Sequence, residues 1–174
     1  MQELSSNNYI DAGEGRGRLL KKEYEEQGFN CGNCGAWVGL AESVGTRNRN
    51  HCNKCLWSRH VDLEVSGDRK SGCGGMMQPI ALTLKAEGRN KYRKEKSGEL
   101  MLVHQCSKCG RVSINRIAGD DNERTILNVF KKSWNLDVLV KDILAGQKIN
   151  YLQKKDEEIV MKQLFGKNYQ KVFI

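Results

Sequence analysis

Proline occurs once in 174 residues, aromatic side chains make up only 7%, and no glycine period accompanies the 18 glycines. The single proline excludes a polyproline rod or a proline-rich linker, and the lack of a Gly-X-Y repeat excludes collagen. So few aromatics leave little bulky apolar volume for a core. No apolar run approaches the roughly 18 residues that a membrane span needs. The opening residues, MQELSSNNYIDAGEG, have neither the basic region nor the apolar stretch of a secretory signal. A cytoplasmic protein with no membrane partner is the expectation. Also missing are HExxH, a phosphate-binding glycine loop and a paired-carboxylate motif.

What is abundant is cysteine and positive charge, and both are concentrated. All seven cysteines and all three histidines lie between residues 29 and 118, and that span carries 15 basic and 7 acidic side chains. Its excess equals the net charge of the whole chain, +8. A basic, cysteine-rich unit suits a polyanionic partner, most simply nucleic acid. In a reducing compartment clustered cysteines more often hold metal than form disulfides, and an odd number fits a disulfide framework poorly.

Three regions follow from the pattern. Residues 1–28 read as a polar arm with an Arg-Gly run at 15–18 and a short helix over 19–27. Residues 29–119 read as short strands over 36–40, 61–65, 80–84, 100–104 and 112–117, separated by Gly- and Asn-rich turns. A strongly basic stretch at 86–98 joins two of them as a loop. Residues 120–174 read as a helical extension, with a first helix carrying the apolar positions Ile126, Leu127, Val129 and Phe130, a second at 136–144 and a third at about 155–165. Asp120, Asp121 and Asn122 precede the first helix, and Gly146 and Gly166 stop the other two. The expected fold is α+β: a small β-rich zinc-ribbon core with two zinc sites, followed by a C-terminal helical extension.

Cys31-Gly-Asn-Cys34-Gly and Cys106-Ser-Lys-Cys109-Gly have the C-x-x-C-G form of a zinc knuckle. The tight turn aims backbone amides at the sulfurs, and the glycine permits the turn. Joined, they would make one four-cysteine site across a long insertion. The insertion carries Cys52, Cys55 and Cys73, which with His60 as fourth ligand would form a second. His51 competes for that place, but its position beside Cys52 disfavours it. The spacing also allows Cys31 and Cys34 to join Cys52 and Cys55, leaving Cys73 with Cys106 and Cys109. A redox reading is weaker, because a thioredoxin-like C-x-x-C stands alone before a helix. An iron–sulfur cluster lacks its characteristic spacing. His104, before the third C-x-x-C, reads as a packed histidine. His51, in a polar basic turn, reads as structural or facing RNA.

The run Arg49-Asn50-His51-Cys52-Asn53-Lys54-Cys55-Leu56-Trp57-Ser58-Arg59-His60-Val61-Asp62 resembles the signature of the bacterial RNHCP-domain family. The likeness continues through Gly67-Asp68-Arg69, Cys73-Gly74-Gly75-Met76 and Pro79-Ile80, then Val103-His104-Gln105-Cys106, Asn115-Arg116 and Asp120-Asp121-Asn122. It spans Phe29 to Asn122. The family's proline is Asn53 here, a position that supplies no ligand. The resemblance implies a compact metal-binding domain and no particular activity.

The leading expectation for function is a zinc module that binds RNA, most simply ribosomal RNA beside ribosomal proteins. Arg47, Arg49, His51, Lys54, Arg59, Arg69 and Lys70 cluster around the second site in sequence. Arg89, Lys91, Arg93, Lys94 and Lys96 form the basic loop. Trp57 and Tyr92 are the interleaved aromatics that could stack on bases. No small-molecule substrate and no catalytic residue are expected. The competing readings are a zinc-dependent nuclease or hydrolase, using His51 with Asp62 or Asp68, and a protein–protein adaptor docking through Trp134 and Leu136.

Overall fold

The C-x-x-C spacing creates the same local structure three times. In the computed structural model, which describes residues 28–40, 49–64, 67–85, 98–167 and 169, each pair sits in one hydrogen-bonded turn. Cys31 N–H donates to the Ala36 carbonyl, Cys52 N–H to that of Trp57, and Cys106 N–H to that of Arg111, at 2.8–2.9 Å. Four residues after each first cysteine, the N–H of Gly35, Leu56 or Gly110 returns to that cysteine's carbonyl. This fifth residue is left-handed in every turn, with φ of 71°, 63° and 74°. Glycine adopts that conformation freely, whereas a leucine there costs roughly 1–2 kcal/mol. Leu56 is fully buried in the main core, and burying a leucine contributes about 1.5–3 kcal/mol, enough to offset the strain.

Short strands carry the turns. β1 (Gly28–Asn30) and β2 (Trp37–Gly39) form a hairpin around the first. The second is closed by a bridge between His51 and Ser58, where β3 (Ser58–Arg59) begins. β3, β4 (Met76–Lys85), β5 (Glu99–Cys106) and β6 (Val112–Arg116) form one antiparallel sheet in that order, and the third turn joins β5 to β6. The register shifts between Pro79 and Ala81, so Ile80 is a bulge.

Alternation along the paired strands sorts residues to two faces. Leu82, Leu100 and Leu102 share one face with Leu56 and meet Ile126, Val129 and Phe130 of α1 (Glu123–Ser133), together with Leu152 and Val160. Ala81, Val103 and Val112 share the other with Ile80 and meet Leu144 of α2 (Val138–Gly146), with Ile149 and Tyr151 beside it. α3 (Glu157–Phe165) supplies Val160 and follows a 3₁₀ turn over Lys154–Asp156. The helical segment therefore covers both faces of the sheet. It also covers an edge. β3 reaches only Met76 and Met77, and the open side of β4 is met by residues 150–152: Leu152 N–H donates to the Leu82 carbonyl at 2.7 Å, and Thr83 Oγ1 to that of Asn150 at 2.7 Å. An unpaired β4 edge would be a template for aggregation.

The first helix begins and the third ends where their sequence signals place them, while the second is shifted from 136–144 to 138–146, so that Asp137 caps it and Gly146 is its last residue. Asn122 accepts from Thr125 N–H, Asp137 accepts from Leu139 N–H, and Gly166 ends α3 at φ 77°. Trp134 and Leu136, the expected docking residues of an adaptor, pack inward against the two core clusters, and the Trp134 ring stands edge-on to Phe130 at 5.4 Å. Among the described residues no helix is long and apolar enough to cross a membrane.

One expected strand is replaced by a loop. Residues 61–65 have strand-like side chains, but Asp68 accepts from the N–H groups of Leu63 and Glu64, while Asp62 accepts from those of Gly67 and Arg69. These side-chain bonds outcompete a ladder for the backbone. β1 was not expected, because Gly-Phe-Asn is too short to show alternation. The arm over 1–27 and the basic loop at 86–97 lie outside the described residues.

Phe130 is fully buried where α1 meets the sheet. Phe130→Ala is expected to destabilise the protein by about 3–5 kcal/mol. Urea unfolding of the zinc-loaded protein checks this; a change below about 1 kcal/mol would mean that α1 does not close the core.

Candidate metal centres

The three turns and two single ligands converge on two points. Cys31, Cys34, Cys52 and Cys55 form one group, and His60, Cys73, Cys106 and Cys109 form the other, each with its four ligand atoms within 4.8 Å of one another. This corrects the expected pairing of Cys31 and Cys34 with Cys106 and Cys109: the first two turns face each other, and the third faces His60 and Cys73. The reason lies in the sheet. Register places Met77 opposite Cys106, so the third turn sits beside the start of β4, next to Cys73. His60, which directly follows β3, is held there as well, its N–H donating to the Gly75 carbonyl at 2.8 Å. His60, not His51, is the histidine ligand.

Distances test what these groups can hold. Cys31 and Cys55 sulfurs lie 3.5 Å apart, Cys34 and Cys52 3.7 Å, Cys73 and Cys106 3.7 Å, and Cys109 Sγ is 3.2 Å from His60 Nδ1. A disulfide needs about 2.05 Å. Sulfurs about 2.3 Å from a tetrahedral zinc are roughly 3.8 Å apart. All seven cysteines are free. Both groups thus have the dimensions of a zinc site, one with four sulfurs and one with three sulfurs and a nitrogen. Four protein ligands fill a tetrahedral shell, the pattern of structural zinc.

The surroundings favour thiolates. Asn33 and Lys54 N–H groups point at Cys31 and Cys52 sulfurs, each at 3.4 Å. The backbone N–H of Ala36 leads the lowering of Cys34 to about 7. Burial opposes ionisation of Cys106, but the N–H groups of Cys109 and Lys108, aided by His60, bring it down to about 6. Burial pushes Cys55 up to about 12. So these thiols would not all ionise together without a divalent cation, and the site fits one. Gly75 permits the second centre: a Cβ there would stand 2.7 Å from Cys106 Sγ and 2.8 Å from Lys108 Cβ.

A polar network, buried at Arg49, His51 and Asp121, joins the first centre to the start of α1. Arg49 holds Asp120 through both terminal nitrogens and reaches Asp121 Oδ1 at 3.0 Å. His51 Nε2 is 2.8 Å from Asp121 Oδ2, which also accepts from Ala118 N–H. The Arg49 guanidinium keeps the Asp120 carboxyl below its usual range. Asn53 donates to Asp120 at 3.1 Å, a bond that the family's proline could not make, and its carbonyl accepts from Asn122 N–H at 2.8 Å. His104 is fully buried, as expected of a packed histidine. Its Nε2 donates to the Leu56 carbonyl at 2.7 Å, fixing the strained turn, and Nδ1 accepts from Asn115 at 2.9 Å. Desolvation lowers its pKa to about 4, in keeping with a neutral ring.

This network corrects two expected RNA contacts. The Arg49 and His51 side chains are 1% and 5% exposed, so neither is presented to phosphate. Nor is His51 paired with Asp62 or Asp68; its carboxylate is Asp121. Lys54, Arg59, Arg69 and Lys70 are exposed as expected, and Lys108 and Arg111 join them. Arg47, Arg89, Lys91, Tyr92, Arg93, Lys94 and Lys96 lie outside the described residues. The role of Asp120 and Asp121 was missed because an Asp-Asp-Asn run before a helix reads as a cap, and nothing local links it to Arg49.

A protein-family model, the RNHCP domain, matches residues 26–127, more than half of the chain. No curated protein and no solved structure gives a significant match.

The two centres are separable by zinc content. Cys31→Ser combined with Cys52→Ser is expected to leave one zinc per chain by atomic absorption; a chain with none would restore the alternative pairing. Asp121→Ala strands His51 Nε2 and Ala118 N–H and removes one of the two acceptors of Arg49 Nη2. It is expected to cost about 3–5 kcal/mol in chemical unfolding, and an unchanged midpoint would show that the network is not structural.

Proposed function

The chain belongs to the RNHCP-domain family, and from that premise we propose that it is a zinc-stabilised RNA-binding module that associates with the ribosome. The observation that carries this reading is the direction in which the charges of the zinc-binding segment are spent. Four carboxylates near the centres are engaged within the protein: Asp62 and Asp68 of that segment on loop amides, and Asp120 and Asp121, just beyond it, on Arg49 and His51. Lys54, Arg59, Lys70, Lys108 and Arg111 are exposed around the two centres. The span 29–118 carries the entire +8 excess, and the basic loop adds five of its cations.

Such a surface neutralises phosphates and releases their counterions, which supplies affinity with little sequence preference. The zinc ions would act by holding the turns that present these cations, with no part in a reaction. Both centres have a full set of four protein ligands, which supports a scaffold role. Ribosomal RNA and the ribosomal proteins beside it are the partners that this reading names.

The test has two parts. RNA affinity is expected to fall steeply with salt, and replacing Lys54 and Lys70 by alanine should reduce the salt slope by about two, one for each lost phosphate contact. In sucrose gradients of lysate the protein should travel with a ribosomal subunit at low salt and leave it at high salt. Sedimentation at the top of the gradient at every salt, with no measurable affinity for ribosomal RNA, would overturn the proposal.

A further inference from the structure

A second kind of site lies beside the first metal centre. Phe29, Trp57 and Met76, all half-buried, line a cavity of 320 Å³ together with Arg49, Arg59 and Arg69. This volume is at the small end of the roughly 300–1,000 Å³ typical of ligand pockets. Its walls combine flat apolar groups with cations at the rim. Arg59 is held across the first turn: a Cβ on Gly32 would lie 3.7 Å from its Nη2 and 2.9 Å from Met76 Sδ. Arg69 stands 3.9 Å from Asp62 at the same opening.

The floor carries an unmet demand. Arg49 is 7% exposed, and its terminal nitrogens are committed to Asp120 and Asp121. Its Nε–H, also buried, has no hydrogen-bond partner among the described residues. Leaving a buried donor without an acceptor is costly, more so on a charged group. The atom is closed to solvent, so an occupant would reach it only by shifting the side chains that cover it.

We propose that this pocket receives one unstacked base of an RNA loop or bulge. Trp57 and Phe29 would offer ring faces, and Arg59 would neutralise the adjoining phosphate. Proteins read RNA mainly where bases are splayed from the helix and can stack on aromatic rings. The occupant follows from charge complementarity: the rim is cationic, the walls are apolar, and every base has a π-face. The inference rests on the RNA-binding reading and adds to it a preference for unpaired bases.

The experiment compares a fluorescein-labelled RNA hairpin bearing a uridine loop with a blunt duplex of the same stem. Zinc-loaded full-length protein is expected to bind the hairpin more tightly than the duplex. Trp57→Ala should lose roughly ten- to a hundred-fold for the hairpin and little for the duplex, in proportion to one stacked base, while retaining two zinc ions. Intrinsic tryptophan fluorescence gives an independent reading with Trp57→Phe, which keeps a ring. Unlabelled hairpin should quench the wild type and leave this variant's remaining tryptophans unaffected. That result would support the pocket even if Trp57→Ala loses its zinc. Equal quenching in Trp57→Phe, or equal hairpin affinity in a zinc-loaded Trp57→Ala, would overturn the pocket. Salt-sensitive binding of both RNAs alike, with no Trp57 quenching, would do the same and leave RNA binding intact. Binding of neither RNA at low salt would overturn both readings.

Discussion

Three or four thiolates can share a space less than 5 Å across only around a cation. Every other feature of the β-rich half of this protein accommodates that constraint. The sulfurs must come from turns that point their amides inward, which is why one hydrogen-bonded frame recurs at Cys31, Cys52 and Cys106. The turns must also approach closely, which is why the position between Cys73 and the third turn has no side chain. With zinc bound, the four-thiolate centre has a formal charge of −2 and the three-thiolate, neutral-histidine centre −1. Cations at their edges, such as Arg59 over the first turn and Lys108 bonded to the Cys73 carbonyl, offset part of that charge as well as facing solvent.

The two centres are coupled through the sheet and through a polar clamp. Loop-closure entropy alone only weakly favours neighbouring turns as partners. Closing a loop of about 70 residues costs roughly 1 kcal/mol more than closing one a quarter as long. The pairing of β4 with β5 across most of their length outweighs that difference, and it sets where Cys106 lies relative to Cys73. The clamp secures the remaining joint. Arg49 and His51 flank the second turn and grip the acidic pair that opens α1. Thr125 Oγ1, one turn into that helix, donates to the Lys54 carbonyl. The core around Leu56 is thus fastened from the metal side and from the helix side.

The same arrangement shapes the outer surface. Arg49 and His51 serve the interior, so the basic character of the signature run is presented by Lys54 and Arg59 instead. The guanidinium is committed at its terminal nitrogens, its buried Nε–H has no partner among the described residues, and Arg49 borders a cavity lined by Trp57 and Phe29. Exposed cations and apolar rings therefore lie side by side over a small patch next to the first centre.

The number and type of the metal ligands were legible in the sequence, because zinc chemistry demands cysteine and histidine at short spacings whatever the surroundings. The helices of the extension were legible too, since Asn122 and Gly166 are where local hydrogen bonding and φ require them, although the middle helix starts two residues later than expected, behind an Asp137 cap that its sequence pattern did not reveal. Most strands were visible through their apolar runs. Residues 61–65 look like a strand in sequence, but 61–64 form none, because two aspartates take backbone donors that a ladder would have used. Which turn shares an ion with which, and whether Arg49 faces phosphate or Asp120, were decided only by tertiary structure. Both depend on contacts between segments about 30 to 70 residues apart, and ligand spacing within one turn contains no information about the register that brings two turns together.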